Sequence, residues 1–280
     1  MELCRFNPGV FILALGFFLG SGLFAQSALQ VVVEEKGGSI TIKKCRGAAE
    51  ELEIPGMIND MPVTAIGEGA FARKNLVSIV IPDSVTSIGA GAFANNRLSS
   101  ITIGDNLVSI GAGAFAHNEI AALKLGSGVA VIGKGAFSDN RLRMVEIPGG
   151  LTRIDAYVFY KNRIEEVAIP GSVAFIGEGA FAGNQLKTLV VSGGVAEIGE
   201  GAFYNNPLSS VTIPESVTSL GKRAFNRPRN PFAAGRGVDY VDSRGNVIYT
   251  TDANFDACYN SGGKKPGVYN FDEDGWSLEE

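Results

Sequence analysis

Apolar residues recur along this chain with a fixed period of 22 residues. Phenylalanine marks the period most clearly, and an isoleucine or leucine stands five residues before each of these phenylalanines. A fixed period in this range is typical of a solenoid, in which each repeat forms one coil that stacks on the next. One such coil cannot bury its apolar side alone, so neighbouring coils must share a core. The phenylalanine column consists of Phe71, Phe93, Phe115, Phe137, Phe159, Phe181, Phe203 and Phe225.

The segment after each phenylalanine predicts a short strand. It follows the pattern Leu-x-x-Val-x-Ile-Pro, as in Leu142–Pro148. Apolar residues at alternate positions give a strand one buried side and one exposed side. Strands of successive coils then stack in parallel, about 4.8 Å apart, and the phenylalanine rings stack inside the coil as a ladder. An asparagine three residues after most of the phenylalanines is expected to bond backbone groups that no ladder satisfies.

These repeats resemble the BspA-like leucine-rich-repeat family. The resemblance rests on segments such as Ile81–Phe93, with the sequence Ile-Pro-Asp-Ser-Val-Thr-Ser-Ile-Gly-Ala-Gly-Ala-Phe, and covers about residues 40–226. Ile54–Gly67 is similar to the family's first repeat. The resemblance implies a leucine-rich-repeat solenoid with a parallel β-sheet on the concave face and short turns or extended segments on the convex side. The chain departs from the family in its asparagine, where members often carry cysteine, and in its irregular fifth repeat at Ile154–Lys161.

The N-terminus predicts an export signal. Arg5 is followed by the apolar run Val10–Leu19 and then by small residues. This order is typical of a signal peptide, here cleaved after Ala25, with Ala28 as the alternative. An uncleaved membrane anchor is the competing interpretation, because residues 6–33 carry no charge and could nearly span a bilayer.

The 22-residue repeat ends at about residue 226. Arg227–Pro231 contains two prolines, which exclude a helix or a central strand. Val238–Asp242 with Asn246–Thr251, and then Lys264–Trp276, predict two β-hairpins. Terminal coils need a cover for their apolar ends, so these hairpins are predicted to form a small β cap or appendage. The predicted organisation is a signal peptide at 1–25, an N-terminal cap with a first partial repeat at 26–65, a leucine-rich-repeat array at 66–226 and the C-terminal cap or appendage at 227–280.

Composition excludes several classes of function. The chain has 24 basic and 29 acidic residues, so no basic surplus is available to neutralise nucleic-acid phosphates. One histidine and three cysteines are too few for a multi-histidine or four-cysteine metal site. No nucleophile, base and orienting group occur together. The sequence therefore predicts no enzyme, no cofactor, no metal and no small-molecule substrate.

Motifs that resemble ligand sites have simpler interpretations. Gly67–Ala72 fits a loose dinucleotide fingerprint and Gly128–Gly135 nearly matches a P-loop, but both lie in repeat register without a long helix. Asn270–Gly275 resembles the front of a calcium loop that lacks its bidentate glutamate, so a hairpin turn is favoured over weak calcium binding. His117 falls in a polar column and is predicted to be a solvated turn residue.

The two cysteines after the predicted signal, Cys45 and Cys258, lie at opposite ends of the array. Export favours disulfides, but about eight coils spaced by about 4.8 Å separate the two residues. A bridge needs Cα atoms within roughly 6 Å. Free thiols, or pairs between chains, are therefore predicted, and only a tail folded back along the array would allow an internal bridge.

The outward strand positions, seven and nine residues after each phenylalanine, form a candidate binding face. This face is small and neutral at its ends and charged at its centre. Extended repeat surfaces commonly bind proteins, while a face charged merely for solubility is the alternative. Tyr157, Tyr160 and Tyr204 are a second candidate, as interface residues or packing variants. The candidate partner-binding residues on the concave face are Lys124, Arg143, Met144, Glu146, Glu165, Glu166 and Lys187.

The predicted function is protein–protein binding by an exported protein. The family resemblance implies adhesion to host or bacterial surface proteins, by a secreted or cell-surface protein that is not integral to the membrane after signal cleavage. A periplasmic or envelope scaffold with an endogenous partner is the alternative. A fold does not dictate a function, so both remain open at the level of the sequence.

Overall fold

The computed structural model describes residues 29–47, 49–208 and 210–225, together with the backbone of short strands near both ends of the chain. Every regular element in these residues is a β-strand, and most strands are two to four residues long. In chain order the strands are β1 (Cys4–Asn7), β2 (Val10–Leu15), β3 (Leu29–Lys36), β4 (Ser39–Arg46), β5 (Glu51–Glu53), β6 (Met57–Ile58), β7 (Met61–Ile66), β8 (Ser78–Ile81), β9 (Ser87–Ile88), β10 (Ser100–Ile103), β11 (Ser109–Ile110), β12 (Val131–Ile132), β13 (Arg153–Ile154), β14 (Ala168–Ile169), β15 (Phe175–Ile176), β16 (Thr188–Val191), β17 (Glu197–Ile198), β18 (Ser210–Ile213), β19 (Ser219–Leu220), β20 (Tyr240–Val241), β21 (Val247–Ile248), β22 (Gly267–Asp272) and β23 (Gly275–Leu278).

The chain folds into a solenoid of stacked coils, as the sequence predicts. We number the coils 1 to 8 by their phenylalanines, from Phe71 to Phe225. The first sheet contains the strands that follow the phenylalanines, β8 and β10 at one end of the array and β14, β16 and β18 at the other, and β5 extends it before the first phenylalanine. Its strands pair in parallel and in register, with Ser78 opposite Ser100 and Thr188 opposite Ser210.

A second parallel sheet lies just before the phenylalanines, on a side where the sequence indicates only turns or extended segments. Ile88 stands opposite Ile110 and Ile176 opposite Ile198, and all four side chains are buried. Stacked extended segments pair their backbone groups because unpaired ones would be costly beside a buried core. This second sheet contains β7, β9, β11 and β12 in one part, and β13, β15, β17 and β19 in another.

The phenylalanines form the predicted ladder through the core. All eight rings are at most 1% exposed. Neighbouring rings stack with centroids 5.2–5.9 Å apart, which is one coil step per ring. The widest spacing, 5.9 Å, separates Phe137 from Phe159, the rings of coils 4 and 5.

A ladder of buried asparagine side chains runs beside the rings. The side-chain amide of Asn140 donates to the carbonyls of Phe137, in its own coil, and Phe115, one coil earlier, at 3.2 and 2.9 Å. Its oxygen accepts the amide of Ile120 at 3.1 Å. The predicted bonding of loop backbone is therefore present, and it also ties each coil to the previous one. The buried asparagines are Asn96, Asn118, Asn140, Asn162, Asn184 and Asn206.

The first sheet is interrupted in coil 3. Residues 121–126 form no strand, and in this described part of the chain no backbone hydrogen bond joins 121–126 to 99–104. Ala121–Leu125 has the sequence Ala-Ala-Leu-Lys-Leu, which contains no β-branched residue. Such residues favour strands, whereas alanine and lysine disfavour them.

The second sheet is interrupted between coils 4 and 5. Most repeats have glycine after the buried isoleucine, and a Cβ added at Gly133 would lie 2.6 Å from a backbone nitrogen of the previous coil. Asp155 occupies this position in coil 5 and cannot approach coil 4 so closely. In the described residues, β12 and β13 accordingly do not pair, and the widest phenylalanine spacing falls at the same junction.

Strands before coil 1 extend both sheets. β4 pairs with β7 in the second sheet, and β5 pairs with β8 in the first. Beyond β4, the second sheet continues with three antiparallel strands: β3 pairs with β4, β2 with β3, and β1 with β2. The predicted apolar core of the signal peptide thus overlaps β2; signal cleavage itself stays a prediction.

Both predicted C-terminal hairpins occur as antiparallel pairs. β20 pairs with β21, and β22 pairs with β23, with Asp272 opposite Gly275. β20 and β22 also pair with β18 of the first sheet. The remaining residues between 226 and 280, Cys258 among them, lie outside the described residues, so the domain boundaries and the capping role stay predictions.

Candidate protein-binding face

The outward residues of the first sheet lie where the sequence places them. We call the seven predicted partner-binding residues the central patch, and all seven are exposed. Lys124 belongs to coil 3. Arg143, Met144 and Glu146 belong to coil 4, Glu165 and Glu166 to coil 5, and Lys187 to coil 6. The patch therefore spans four coils on one side of the solenoid.

Met144 lies at the centre of this patch and is 72% exposed. Glu166 stands directly opposite it in the next coil through an isolated parallel bridge. On the other side, the corresponding residue of coil 3 is Ala122, which is too small to cover the thioether. Met144 is therefore an exposed apolar side chain among the charged side chains of the patch.

Five charged side chains of the central patch have no ion-pair partner within the described part of the chain. The described ion pairs lie elsewhere, as between Arg141 and Glu119 at 2.9 Å. Opposite charges do occupy neighbouring coils of the patch, yet their side chains point to solvent without meeting. These groups are free to pair with an external ligand. The five are Lys124, Arg143, Glu146, Glu165 and Glu166.

A groove adjoins the patch where the first sheet is interrupted. It has a volume of about 650 Å³ and is lined by parts of coils 1 to 3, including Ile101, Ile103 and Lys124. Ile101 and Ile103 are only partly buried, whereas the equivalent residues of coil 1, Ile79 and Ile81, are at most 2% exposed. The loss of pairing at coil 3 therefore opens apolar surface beside the charged centre.

Sequence reasoning missed two carboxylates of this face. Glu51 and Glu53 are exposed on β5 and stand opposite Ser78 and Val80. The N-terminal end of the face is therefore acidic, not neutral as the sequence predicts. The signal was present in the sequence, because Leu52-x-Ile54-Pro follows the same pattern as the later strands.

Tyr157 and Tyr160, which we call the tyrosine cluster, pack against each other and against their own chain. Tyr157 adopts a φ of +60° at a position where most repeats have glycine, and its ring fills the space beside Gly179. Lys134 lies over this ring at 5.4 Å, and the Tyr160 ring meets it edge-on at 5.6 Å. The hydroxyl of Tyr157 donates to Glu178, and this bond raises the pKa of Tyr157 to about 12, with burial as a smaller cause. With these contacts filled, the cluster is a weaker binding candidate than the central patch.

The structure also describes two other candidate residues, His117 and Cys45. His117 is an exposed turn residue, as predicted, 3.7 Å from the carboxylate of Asp139. Cys45 is a free thiol, and burial raises its pKa. Among the described residues, no three His, Cys, Asp or Glu side chains cluster in a way that could hold a metal ion. The same residues contain no helix long and apolar enough to cross a membrane.

The repeat register and the two parallel sheets agree with a comparison against known families. Residues 64–187 and 116–230, more than half of the chain, match the BspA type leucine rich repeat region, in six copies. The chain belongs to the BspA-type leucine-rich-repeat family. This membership confirms the resemblance that the repeats suggest.

Solved structures with a similar fold come from several bacteria. A leucine rich cell surface protein of Faecalibacterium prausnitzii is 24% identical, with 72% of this chain and 73% of that one covered and a TM-score of 0.46. The pneumococcal vaccine antigen PcpA is 17% identical, with coverage of 70% and 76% and a TM-score of 0.49. A leucine rich repeat protein of T. pallidum is 25% identical, with coverage of 68% and 78% and a TM-score of 0.42. No curated protein matches the sequence significantly.

Proposed function

We propose that this BspA-type protein is exported and binds other proteins through the central patch of the first sheet, with adhesion to host or bacterial surface proteins as its role. The observation that carries the proposal is Met144, 72% exposed beside Lys124, Arg143, Glu146, Glu165 and Glu166, which form no ion pair among the described residues. Charge complementarity around an apolar centre gives a protein interface its specificity and its association rate.

Export is the second part of the proposal. It rests on the apolar run Val10–Leu19 and the small residues that follow it, since this pattern is typical of cleaved signals. The repeat family is usually non-catalytic, which agrees with a binding role. A periplasmic or envelope scaffold with an endogenous partner is the competing role, because the same face would serve it equally.

The location of the protein separates these roles. We expect protease added to intact cells to cleave the native protein as readily as it does in permeabilised cells. Cleavage outside would make a binding screen against host matrix and bacterial surface proteins the next step. Protection until the cells are permeabilised would rule out adhesion as the main role and assign the patch to an envelope partner.

The location of the binding site can be tested with any partner found in this way. The variant Lys124→Glu/Glu146→Lys/Glu166→Lys reverses three charges of the central patch and should weaken binding at least tenfold, with unchanged circular dichroism. A matched control, Glu68→Lys/Glu200→Lys/Lys222→Glu, changes the net charge equally at exposed positions near the phenylalanine turns. Equal affinity of both variants and the original protein would place the binding site elsewhere.

A further inference from the structure

We propose that the exported protein pairs with a second copy of itself through the outer edge of β3, in a twofold antiparallel arrangement centred on Val32. This inference rests on the signal cleavage that is part of the proposed function. Cleavage after Ala25 removes β1 and β2 and leaves β3 as the last strand of the second sheet. The two arrays are then joined at their N-terminal ends, and the second sheet runs from one copy into the other.

In the full chain, the predicted signal peptide covers the outer edge of β3. β2 pairs with β3 residue by residue, from Val10 opposite Glu34 to Leu15 opposite Leu29. The inner edge of β3 pairs with β4, which joins it to the array through β7. Loss of β2 therefore leaves one edge of a long strand without partners for its backbone groups. Such an edge is a template for pairing with another strand.

β3 itself is tied firmly to the fold. Val31 and Val33 are 0% and 1% exposed and belong to the hydrophobic core. From Gln30 to Lys36 the strand also pairs with β4. The edge that cleavage frees is thus presented by a strand whose conformation is already set, so pairing with it requires little further ordering.

The sequence of β3 is complementary to itself in one antiparallel register. Its buried and exposed side chains alternate, so each residue must stand opposite one of the same face, and the pair must be centred on a residue. With Val32 at the centre, Val31 of one copy stands opposite Val33 of the other. Glu34 stands opposite the neutral Gln30, so no like charges meet. A register centred on Val33 would place valines opposite glutamates, and one centred on Val31 would pair a shorter part of the strand.

This register makes a second copy the occupant that fits the edge. The apolar centre of one strand meets the apolar centre of the other, and the acidic end of each meets the neutral end of its counterpart. The same surface serves both copies, as in the twofold dimers that are the commonest closed assemblies.

The mass of the exported protein in solution tests the proposal. Protein recovered after export should lack β1 and β2 by mass spectrometry, and it should sediment as a dimer that dissociates on dilution. The full chain, which keeps β2 on the edge of β3, should sediment as a monomer at the same concentrations. An exported protein that is monomeric, or a full chain that dimerises equally well, would overturn the proposal.

Two substitutions of Gln30 test the register. Gln30→Glu places like charges opposite each other twice in the dimer, because each copy contributes one Glu34, whereas Gln30→Lys places opposite charges there. We expect the dissociation constant of the dimer to rise about threefold to tenfold in the first variant and to fall by a similar factor in the second. Within its own chain, Gln30 stands opposite Arg46 on β4. Effects on the folding of one copy therefore have the opposite sign and cannot produce this result.

Two further variants complete the test. Gln185→Glu is the matched control, because it adds the same charge at an exposed residue of coil 6, and it should leave the dissociation constant unchanged. Gln30→Glu/Glu34→Lys restores opposite charges across the dimer and should recover its affinity. If Gln30→Glu and Gln185→Glu behaved alike, β3 would not form the interface in this register.

These outcomes are distinct from those that test the proposed function. An exported protein that kept residues 1–25 would contradict signal cleavage and overturn the dimer with it. A cleaved protein that stayed monomeric would overturn the dimer alone and leave export and partner binding in place. Weaker partner binding in the triple charge-reversal variant is a separate result, because the central patch lies on the first sheet and β3 belongs to the second.

Discussion

At the scale of single residues, the buried asparagines decide whether neighbouring coils hold together. Asn96 is 8% exposed, and its amide donates to the carbonyls of Phe71 and Phe93 at 2.8 and 2.9 Å. Its oxygen accepts the backbone amides of Lys74 and Leu76 at 2.8 and 3.1 Å. Each of these buried backbone groups would otherwise lack a partner, at a cost of about 1–3 kcal/mol.

Asn96→Asp tests this role with almost no change of shape. Aspartate keeps the acceptor for Lys74 and Leu76 but cannot donate to both phenylalanine carbonyls, so unfolding should become easier by about 3 kcal/mol or more at neutral pH. Burial beside carbonyl oxygens raises the pKa of the new carboxyl above its unfolded value of about 3.9. The stability should thus be partly restored below that value and lost as the pH rises through the folded pKa. Urea titrations at pH 4 and pH 7 measure both effects.

The neighbouring asparagine provides the control for that experiment. Asn95 is exposed at a φ of +58°, a conformation that aspartate also tolerates. Asn95→Asp should therefore change the free energy of unfolding by less than about 0.5 kcal/mol, as is usual for surface substitutions. A similar loss in both variants would mean that the added charge, and not the missing donor, is responsible.

At the scale of elements, the period predicts which residues are buried more reliably than it predicts which segments pair. A repeat of fixed length puts each column on the same side of every coil, so the phenylalanine and asparagine ladders and the exposure of the central patch follow from the sequence. The second sheet was not predicted, because a two-residue strand such as Ser87–Ile88 is too short to show an alternating pattern. The interruptions depend on contacts between coils, which no single repeat reveals, although Ala121–Leu125 and Asp155 do depart from their columns.

Hydrogen exchange should locate the interruption of the first sheet. Within the part of the chain that the structure describes, the amides of Ala122, Leu123 and Lys124 have no backbone partner, whereas Leu189 and Val190 lie in the paired strand β16. We expect the first group to exchange within minutes at neutral pH and the second to be protected at least a hundredfold more strongly. Equal protection of the two segments would show that the first sheet is continuous in solution.

Asp155→Gly should close the interruption of the second sheet. Glycine at the equivalent positions lets the backbones of neighbouring coils approach more closely than any residue with a Cβ would allow. At Gly177, for example, a Cβ would lie 2.5 Å from the backbone nitrogen of Ala156 in the previous coil. Two recovered backbone hydrogen bonds should outweigh the exposed ion pair that Asp155 makes with Arg153, for a net gain of about 1 kcal/mol. The measurement is the thermal midpoint.

The reverse exchange checks the explanation. Gly177→Asp introduces the same side chain between coils 5 and 6, where β13 and β15 pair in the second sheet, and it should destabilise the protein by about 2–4 kcal/mol through the displaced backbone. If Asp155→Gly lowered the thermal midpoint instead, Asp155 could not be the cause of the gap between β12 and β13.

At the scale of the whole molecule, the array has a weak joint between coils 4 and 5. In a solenoid each coil contacts only its neighbours. The free energy of unfolding is therefore approximately the sum of the contributions of the coils and of the interfaces between them. In the described residues, the pairing of β12 with β13 is missing at this junction. The link there consists of the Phe137–Phe159 stack at 5.9 Å, the bond from Asn162 to the Phe137 carbonyl at 2.9 Å, and backbone bonds at the turns and first sheet such as that from Glu165 to Arg143.

Removing one ring at this joint should therefore divide unfolding into two steps. Phe137→Ala leaves a cavity that costs about 3–5 kcal/mol, and it also removes the ring that bridges coils 4 and 5. The two halves of the array should then melt at separate temperatures in calorimetry. Phe181→Ala is the matched control, because both sheets run without interruption from coil 5 to coil 7; it should lower the melting temperature similarly while keeping a single transition. If both variants showed two transitions, or both showed one, the interface between coils 4 and 5 would be no weaker than the other interfaces. Only a weak interface at that point would make Phe137→Ala behave differently from Phe181→Ala.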